Sequence, residues 1–254
     1  MVMKTVRLKQ MEQYIAKHGF VSINELCEVF DIHKNTVRAY VNELAEQGIV
    51  EKTYGGVSYK TYKLPTSFDE RTIVSVDSKK IIGRLAAGLL EEDDVIYADS
   101  GTTVSMLFED PAILPDHLTI ITNNLFVVNW CLKNTEYTVF SLPGKADREL
   151  NCFASLETIE SLRTYNFRKA FLGIRGISAK GGLSSASPID ARLKGTVLSI
   201  SQQSILLAGA EKLGNPAMLN FANMDAVDVW VCDRTTAEVH DLADGSGVRL
   251  IVPK

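Results

Sequence analysis

Two short strings in this 254-residue chain hold side chains suited to specific recognition. Lys34-Asn35-Thr36-Val37-Arg38 offers an ammonium, a carboxamide, a hydroxyl and a guanidinium within about one helical turn. Asparagine bonds adenine through two atoms, arginine bonds guanine or a phosphate, and threonine serves either partner. Asp99-Ser100-Gly101-Thr102-Thr103 combines a carboxylate, three hydroxyls and a glycine where an apolar run gives way to a helical pattern. Such a loop presents backbone N–H groups and hydroxyls to an anion, and phosphate is the natural occupant. The plainer reading is that Ser100 or Thr102 only caps a helix. The P-loop spacing is absent. Thr122-Asn123-Asn124, Pro143-Gly144-Lys145 with Asp147 and Arg148, and Gly209-Ala210-Glu211-Lys212 each follow an apolar run, so four polar clusters belong to one sheet edge. Of these, Asn123 is expected to bond hydroxyls and Lys212 to supply a positive charge. His18, His33, His117 and His240 have no metal-ligand spacing, and no G-x-S-x-G occurs. Neither a metal nor a cofactor is expected.

The first string needs a helix to present it. Leu8, Met11, Tyr14 and Ile15 share one face of a helix over 7–17 that Gly19 ends. Ser22 caps a second helix over 23–30, with Glu25 three residues on. A tight Asp31-Ile32-His33 turn leads to a third helix over 34–47, with Val37, Val41, Leu44 and Ala45 inward and Gly48 closing it. Residues 49–54 and 57–59 then flank Gly55-Gly56 as a hairpin. This is a winged helix-turn-helix over residues 1–60. Its third helix can enter a major groove and present Lys34, Asn35, Thr36 and Arg38, while Lys52 and Tyr54 on the wing meet phosphates.

Residues 61–77 are polar, contain Pro65 and read as a linker. From 78 to 254 strands and helices alternate, with strands expected near 95–98, 118–121, 138–142, 169–174, 204–208, 227–232 and 248–252. That alternation predicts an α/β domain with a mainly parallel sheet covered on both faces. Its ligand site belongs at the carboxyl ends of the strands, where the second string falls.

Charge is consistent with this division. The net charge is −4, but residues 1–60 hold 8 basic and 7 acidic side chains, so the remainder carries −5. A patch on the first segment therefore acts by placement and not by bulk charge. Apolar stretches are strand-sized, far below the roughly 20 residues of a membrane helix. The start shows no apolar signal core, and four scattered cysteines form no disulfide framework or zinc pattern. A soluble cytoplasmic protein is expected.

The whole chain resembles the deoxyribose-operon-repressor (DeoR) family of bacterial transcription regulators. The resemblance rests on Asn35-Thr36-Val37-Arg38, Glu43-Leu44, Gly48 and Tyr54-Gly55-Gly56 in the first part. In the second it rests on Asp99-Ser100-Gly101-Thr102-Thr103, Thr122-Asn123, Ala170-Phe171-Leu172-Gly173 and Arg192-Leu193-Lys194. His33 replaces the family's usual serine, Ala39-Tyr40 its Arg-Asp, and Gly209-Ala210-Glu211-Lys212 keeps only the lysine of Asp-x-Ser-Lys. The resemblance implies a sensor domain similar in fold to ribose-phosphate isomerases, sensing a phosphorylated sugar. The expectation is a repressor of a carbohydrate-utilisation operon that binds double-stranded operator DNA as a homo-oligomer, a dimer or tetramer, with no enzymatic activity. Two rivals stand beside it. One is a sugar-phosphate isomerase with an appended helical domain, using Asp99, Glu211 or Asp233 as base. The other is a module that contacts only protein.

Overall fold

A computed structural model describes residues 2–46, 49–59 and 67–253. It divides into two compact units, residues 1–63 and 64–254. In the first, helix α1 (Val2–His18) is followed by β1 (Phe20–Ser22), α2 (Ile23–Phe30), α3 (Lys34–Glu46), β2 (Val50–Thr53) and β3 (Gly56–Tyr59). The Ser22 hydroxyl accepts from the Glu25 N–H at 3.1 Å, so the expected cap starts α2. Asp31 ends it in the left-handed region, with φ of 47°, which turns the chain sharply into α3. Met11, Ile15, Leu26, Val37, Val41, Leu44, Val50 and Val57 form the buried core. Tyr40 joins them, so the departure Ala39-Tyr40 turns its ring inward and leaves only Ala39 exposed. The close of α3 at Gln47-Gly48 lies outside the described residues.

The wing is a three-stranded antiparallel sheet in the order β1-β3-β2. Strand β1 was not expected, because three residues after Gly19 are too few to show alternation. Thr53 pairs with Gly56 and leaves Tyr54-Gly55 as a two-residue loop. The two glycines serve different ends: Gly55 takes a φ of 82°, while a Cβ on Gly56 would stand 2.5 Å from the Val21 carbonyl oxygen.

The second unit begins with α4 (Phe68–Thr72), α5 (Val76–Ala87), β4 (Asp94–Ala98) and α6 (Thr102–Ser105). Next come β5 (Leu118–Thr122), α7 (Leu125–Asn134), β6 (Thr138–Ser141), the short pair β7 (Ala146–Asp147) and β8 (Cys152–Phe153), and α8 (Leu156–Leu162). The chain continues through β9 (Lys169–Gly173), β10 (Gly176–Ile177), β11 (Gly182–Ser185), α9 (Pro188–Ile200), β12 (Gln203–Leu207) and β13 (Leu219–Asn223). It ends with β14 (Val229–Val231), α10 (Ala237–Ser246) and β15 (Arg249–Ile251). Seven strands make one parallel sheet in the order β15-β14-β12-β9-β4-β5-β6. Successive residues serve opposite faces: Ile96 packs with Ile82, Phe108 and Ile120, and Tyr97 with Ile159, Leu162 and Phe167.

Between β4 and β9 the strand order reverses, since the chain leaves β4 in one direction and returns to build the other. Ligands of open α/β sheets bind at such a switch point, outside the carboxyl ends. A second, antiparallel sheet, β10-β11-β13, was not expected. Gly182-Leu183-Ser184-Ser185 is buried on all four positions and so has no alternation to read. Part of the expected linker 61–77 is helical. Ser67 and Glu70 form a reciprocal cap on α4, whose Phe68 is buried, and α5 begins at Val76. Residues 61–66 of that linker lie outside the described residues.

Candidate nucleic-acid interface and effector site

On α3, Lys34, Asn35 and Arg38 are exposed and Thr36 is half-buried. The His33 carbonyl accepts from the N–H groups of Thr36 (2.9 Å) and Val37 (3.1 Å), which fixes the helix start and therefore the direction of these side chains. A cleft of about 460 Å³ runs between α3 and the wing, and Lys34, Arg38 and Lys52 all line it. The spacing of Lys34 and Arg38 is i, i+4, which puts both on one stripe. Asn42 lies one further turn along and lines the same cleft. Asn42 was not among the expected contacts, although it continues the same four-residue spacing from Lys34 and Arg38. Asn35 and Thr36 are outside that lining, and Tyr54 stands free at the wing tip, 105% exposed.

In the second unit the Asp99 carboxylate sits at the switch point, fully buried. Its Oδ2 accepts from the Gly173 N–H (3.0 Å), at the end of β9, and from Lys194 Nζ on α9. Lys194 also pairs with Asp190 Oδ1 at 3.0 Å, and Asp190 accepts from the Ser185 hydroxyl. Asp99 Oδ1 is buried with no partner among the described residues. Burial pushes the Asp99 carboxyl up, against the pull of Lys194. Burial also works against the Lys194 ammonium, but Asp190 and Asp99 outweigh it and hold the proton more firmly than usual.

The loop after Asp99 is as expected in place and different in detail. Ser100 and Thr102 are buried, Gly101 and Thr103 half-buried, and Gly101 is the residue that precedes α6, with no side chain capping it. Helix α6 is a single turn running into a 3-10 turn at Met106–Phe108. A helix that short has little macrodipole, so attraction for an anion has to come from cations.

Those cations are close by. Lys79 is buried and donates from Nζ to the Arg71 carbonyl. Burial, with Lys212 and Arg71 as like charges, lowers its pKa to about 8. Burial and the neighbouring Arg175 likewise lower the Arg71 guanidinium, while Asp190 and Asp99 act the other way. Lys212 stands 3.6 Å from Glu211. Arg71, Lys79, Arg175 and Lys194 were not among the expected site residues. Arg71 fell inside the expected linker, nothing in the sequence singled out Lys79 or Arg175, and Lys194 entered only through the family resemblance.

Asn123 is placed differently from its expected use. It is fully buried, its Oδ1 accepts from the Tyr97 hydroxyl (3.1 Å) and its Nδ2 donates to the Phe153 carbonyl (3.0 Å). It ties β5 to β8 and has no solvent-facing atom to offer. Asn124 donates to the Asp99 carbonyl at 3.0 Å and caps α7, so it supports the loop from behind. Burial lifts the thiols of Cys131, Cys152 and Cys232 to about 12, which keeps them protonated. Among the described residues, Glu92, Asp93 and His117 form one exposed cluster, in which the His117 ring is bonded to Glu92 at 2.6 Å.

A winged helix-turn-helix with a cationic cleft, carried on the same chain as a parallel α/β unit with charged groups at its switch point, defines a ligand-sensing DNA-binding regulator. The chain belongs to the DeoR family: its residues 7–63 match the model of the DeoR-like helix-turn-helix domain, and residues 74–234 that of the DeoR C terminal sensor domain. It is similar to the HTH-type transcriptional regulator IolR of Bacillus subtilis, 34% identical over 88% of each chain. It is also similar to the glycerol-3-phosphate regulon repressor of Escherichia coli, 26% identical over 91% of each. Among solved structures, ribose 5-phosphate isomerase A of Methanocaldococcus jannaschii aligns over 55% of each chain at a TM-score of 0.40 and 14% identity, too loose a likeness to bear on function. The named relatives are regulators. The isomerase and protein-only rivals are set aside accordingly.

Proposed function

We propose that this regulator represses genes of carbohydrate use and releases or alters its grip on DNA when the second unit binds a phosphorylated sugar. The observation that carries the reading is the switch-point site. An unsatisfied buried carboxylate oxygen on Asp99 suits a ligand hydroxyl, and the cations Arg71, Lys79 and Lys212 suit a phosphate. The Ser100-Gly101-Thr102-Thr103 loop adds N–H groups and hydroxyls. Asn123 acts by holding the loop's surroundings. The reading is supported by the similarity to the glycerol-3-phosphate regulon repressor, a relative that controls a polyol phosphate regulon.

On DNA, Lys34, Asn35, Thr36 and Arg38 read or clamp the major groove and Lys52 and Tyr54 hold the backbone. One such helix covers a short half-site, so two copies in a homo-dimer, or four in a tetramer, act together in the cytoplasm. An operator fragment selected from the genome, titrated with sugar phosphates and their free sugars, tests this. At least one sugar phosphate is expected to change operator affinity by about 5–150-fold, with no effect of the free sugar. Sedimentation of the complex is expected to show two or four copies. No response to any sugar phosphate, or tight binding by a single copy, overturns the reading.

The site also sets a pH dependence. An anion bound beside Lys79 offsets the repulsion from Lys212 and Arg71, and so moves Lys79 from about 8 back toward its ordinary 10.5. Protons are therefore taken up on binding at pH values between the two, and affinity falls as pH rises through that window. Calorimetry near about pH 9 in buffers of different ionisation enthalpy measures the uptake. Lys79→Met is expected to abolish it, and an uptake that survives this change contradicts the assignment.

A further inference from the structure

Arg71 belongs to α4, which precedes the parallel sheet in the chain and supplies none of its strand ends. Its Nε donates to the Ser67 carbonyl at 3.4 Å, and its Cζ stands 5.7 Å over the Phe68 ring. Its Nη2 is buried with no partner among the described residues. A buried donor left unmet is costly, and a ligand that accepts from it removes that cost. The charges of Arg175, Asp190 and Asp99 all act on this guanidinium.

Helix α4 is also the neighbour of the Ser100–Thr103 loop. Phe68, Thr72 and Ile73 of α4 face Thr102, Ser105 and Met106 across a shallow cleft of about 380 Å³. The hydrogen bond from Lys79 to the Arg71 carbonyl ties α4 to α5. Two buried atoms are left unmet among the described residues: a donor on Arg71 and an acceptor, Oδ1, on Asp99. They are complementary to an anionic group and a hydroxyl on one ligand. Asp99 is shut off from solvent, so a ligand that bonds both atoms has to open this packing.

We propose that Arg71 is an anion-contacting residue of the effector site, so that a bound sugar phosphate takes hold of α4. This rests on the effector reading above and adds how occupancy is felt outside the site. Strand β3 ends at Tyr59 and α4 starts at Phe68, so the helix that grips the effector is the first after the wing among the described residues. Movement or fixing of α4 then acts on the end of the segment that leads back to the DNA-binding unit.

The test uses the full chain and three probes: glucose 6-phosphate, fructose 1-phosphate and sn-glycerol 3-phosphate. Calorimetry of wild type, Arg71→Lys and Arg71→Gln is combined with hydrogen exchange of the α4 amides. With whichever probe binds wild type, Arg71→Gln is expected to weaken affinity about ten- to a hundredfold, as for loss of a charge-assisted bond, and Arg71→Lys less. Exchange at residues 68–72 is expected to slow on binding in wild type and to be unchanged by the probe in Arg71→Gln. Equal affinity in all three proteins overturns the inference and leaves the effector reading standing. So does unaltered α4 exchange in saturated wild type. Should Arg71→Gln fail to fold, Arg71→Lys and the wild-type exchange decide between the same outcomes. Binding of no probe by wild type counts against the effector reading and takes this inference with it.

Discussion

Lys194→Ala is expected to lower folding stability by about 3–5 kcal/mol, the usual cost of stranding a buried charge. The residue holds two carboxylates, Asp99 and Asp190, all three side chains being almost wholly removed from solvent. Without the ammonium, and among the described residues, Asp99 keeps only the Gly173 N–H as a donor and Asp190 chiefly the Ser185 hydroxyl. The sign of the pH effect follows. Burial already raises the folded-state pKa of Asp99, and removing Lys194 raises it further. The folded variant then binds more protons than the unfolded chain, so its deficit is largest near neutrality and shrinks as pH falls into the acid range. Urea melts at neutral and mildly acidic pH measure this. Asp99→Asn placed on Lys194→Ala is expected to recover part of the loss, because a neutral amide needs no counter-charge. A loss below about 1 kcal/mol at neutral pH would show that water reaches the pair, as in exposed ion pairs.

The residues that were legible are those whose chemistry follows from local spacing. Ser22 with Glu25 marks a cap and Lys34 with Arg38 one helical stripe, each decided within four residues of chain; Gly55-Gly56 marks the hairpin, whose two-residue loop is Tyr54-Gly55, one position earlier. Strands β4, β5, β9 and β12 were legible because long buried runs such as Lys169–Gly173 have few alternatives. What escaped depends on residues far apart. Asp99 meets Lys194 across 95 positions, and nothing local to either tells that the carboxylate is already half satisfied. Asn123 at a strand end looks free, yet Tyr97 and Phe153 use its amide from both sides. Arg71 was hidden by the brevity of α4: five residues show no period, and only the Ser67-x-x-Glu70 signature betrays a helix. The glycine- and serine-rich β11 resembles a turn because its side chains are too small to reveal burial on both faces.

Removing the three cations of the α3–wing cleft together, as Lys34→Ala, Arg38→Ala and Lys52→Ala, is expected to have the largest effect on DNA. Each phosphate neutralised by a cation contributes about 0.9 to the slope of log affinity against log salt. Three lost contacts should flatten the slope by roughly 2.7 per DNA-binding head, and by about twice that for a pair acting on two half-sites. Arg38 alone is expected to cost about 1–3 kcal/mol. The fold should hold, because Lys34, Arg38 and Lys52 are all exposed and the core is built from Val37, Tyr40, Val41 and Leu44. The first 60 residues have an excess of only one positive charge, so this dependence tests placement: were attraction diffuse, moving the same charges elsewhere would serve equally. Asn35→Ala provides the contrast. An amide that reads a base neutralises no phosphate, so its loss should lower affinity for the operator, leave non-specific DNA untouched and keep the salt slope. Filter binding from about 50 to 200 mM salt, on operator and on scrambled duplex, separates the two kinds of contact. A triple variant with an unchanged slope would mean that the cleft does not meet the backbone. DNA would then have to be held by a face of α3 other than the one that Lys34 and Arg38 share.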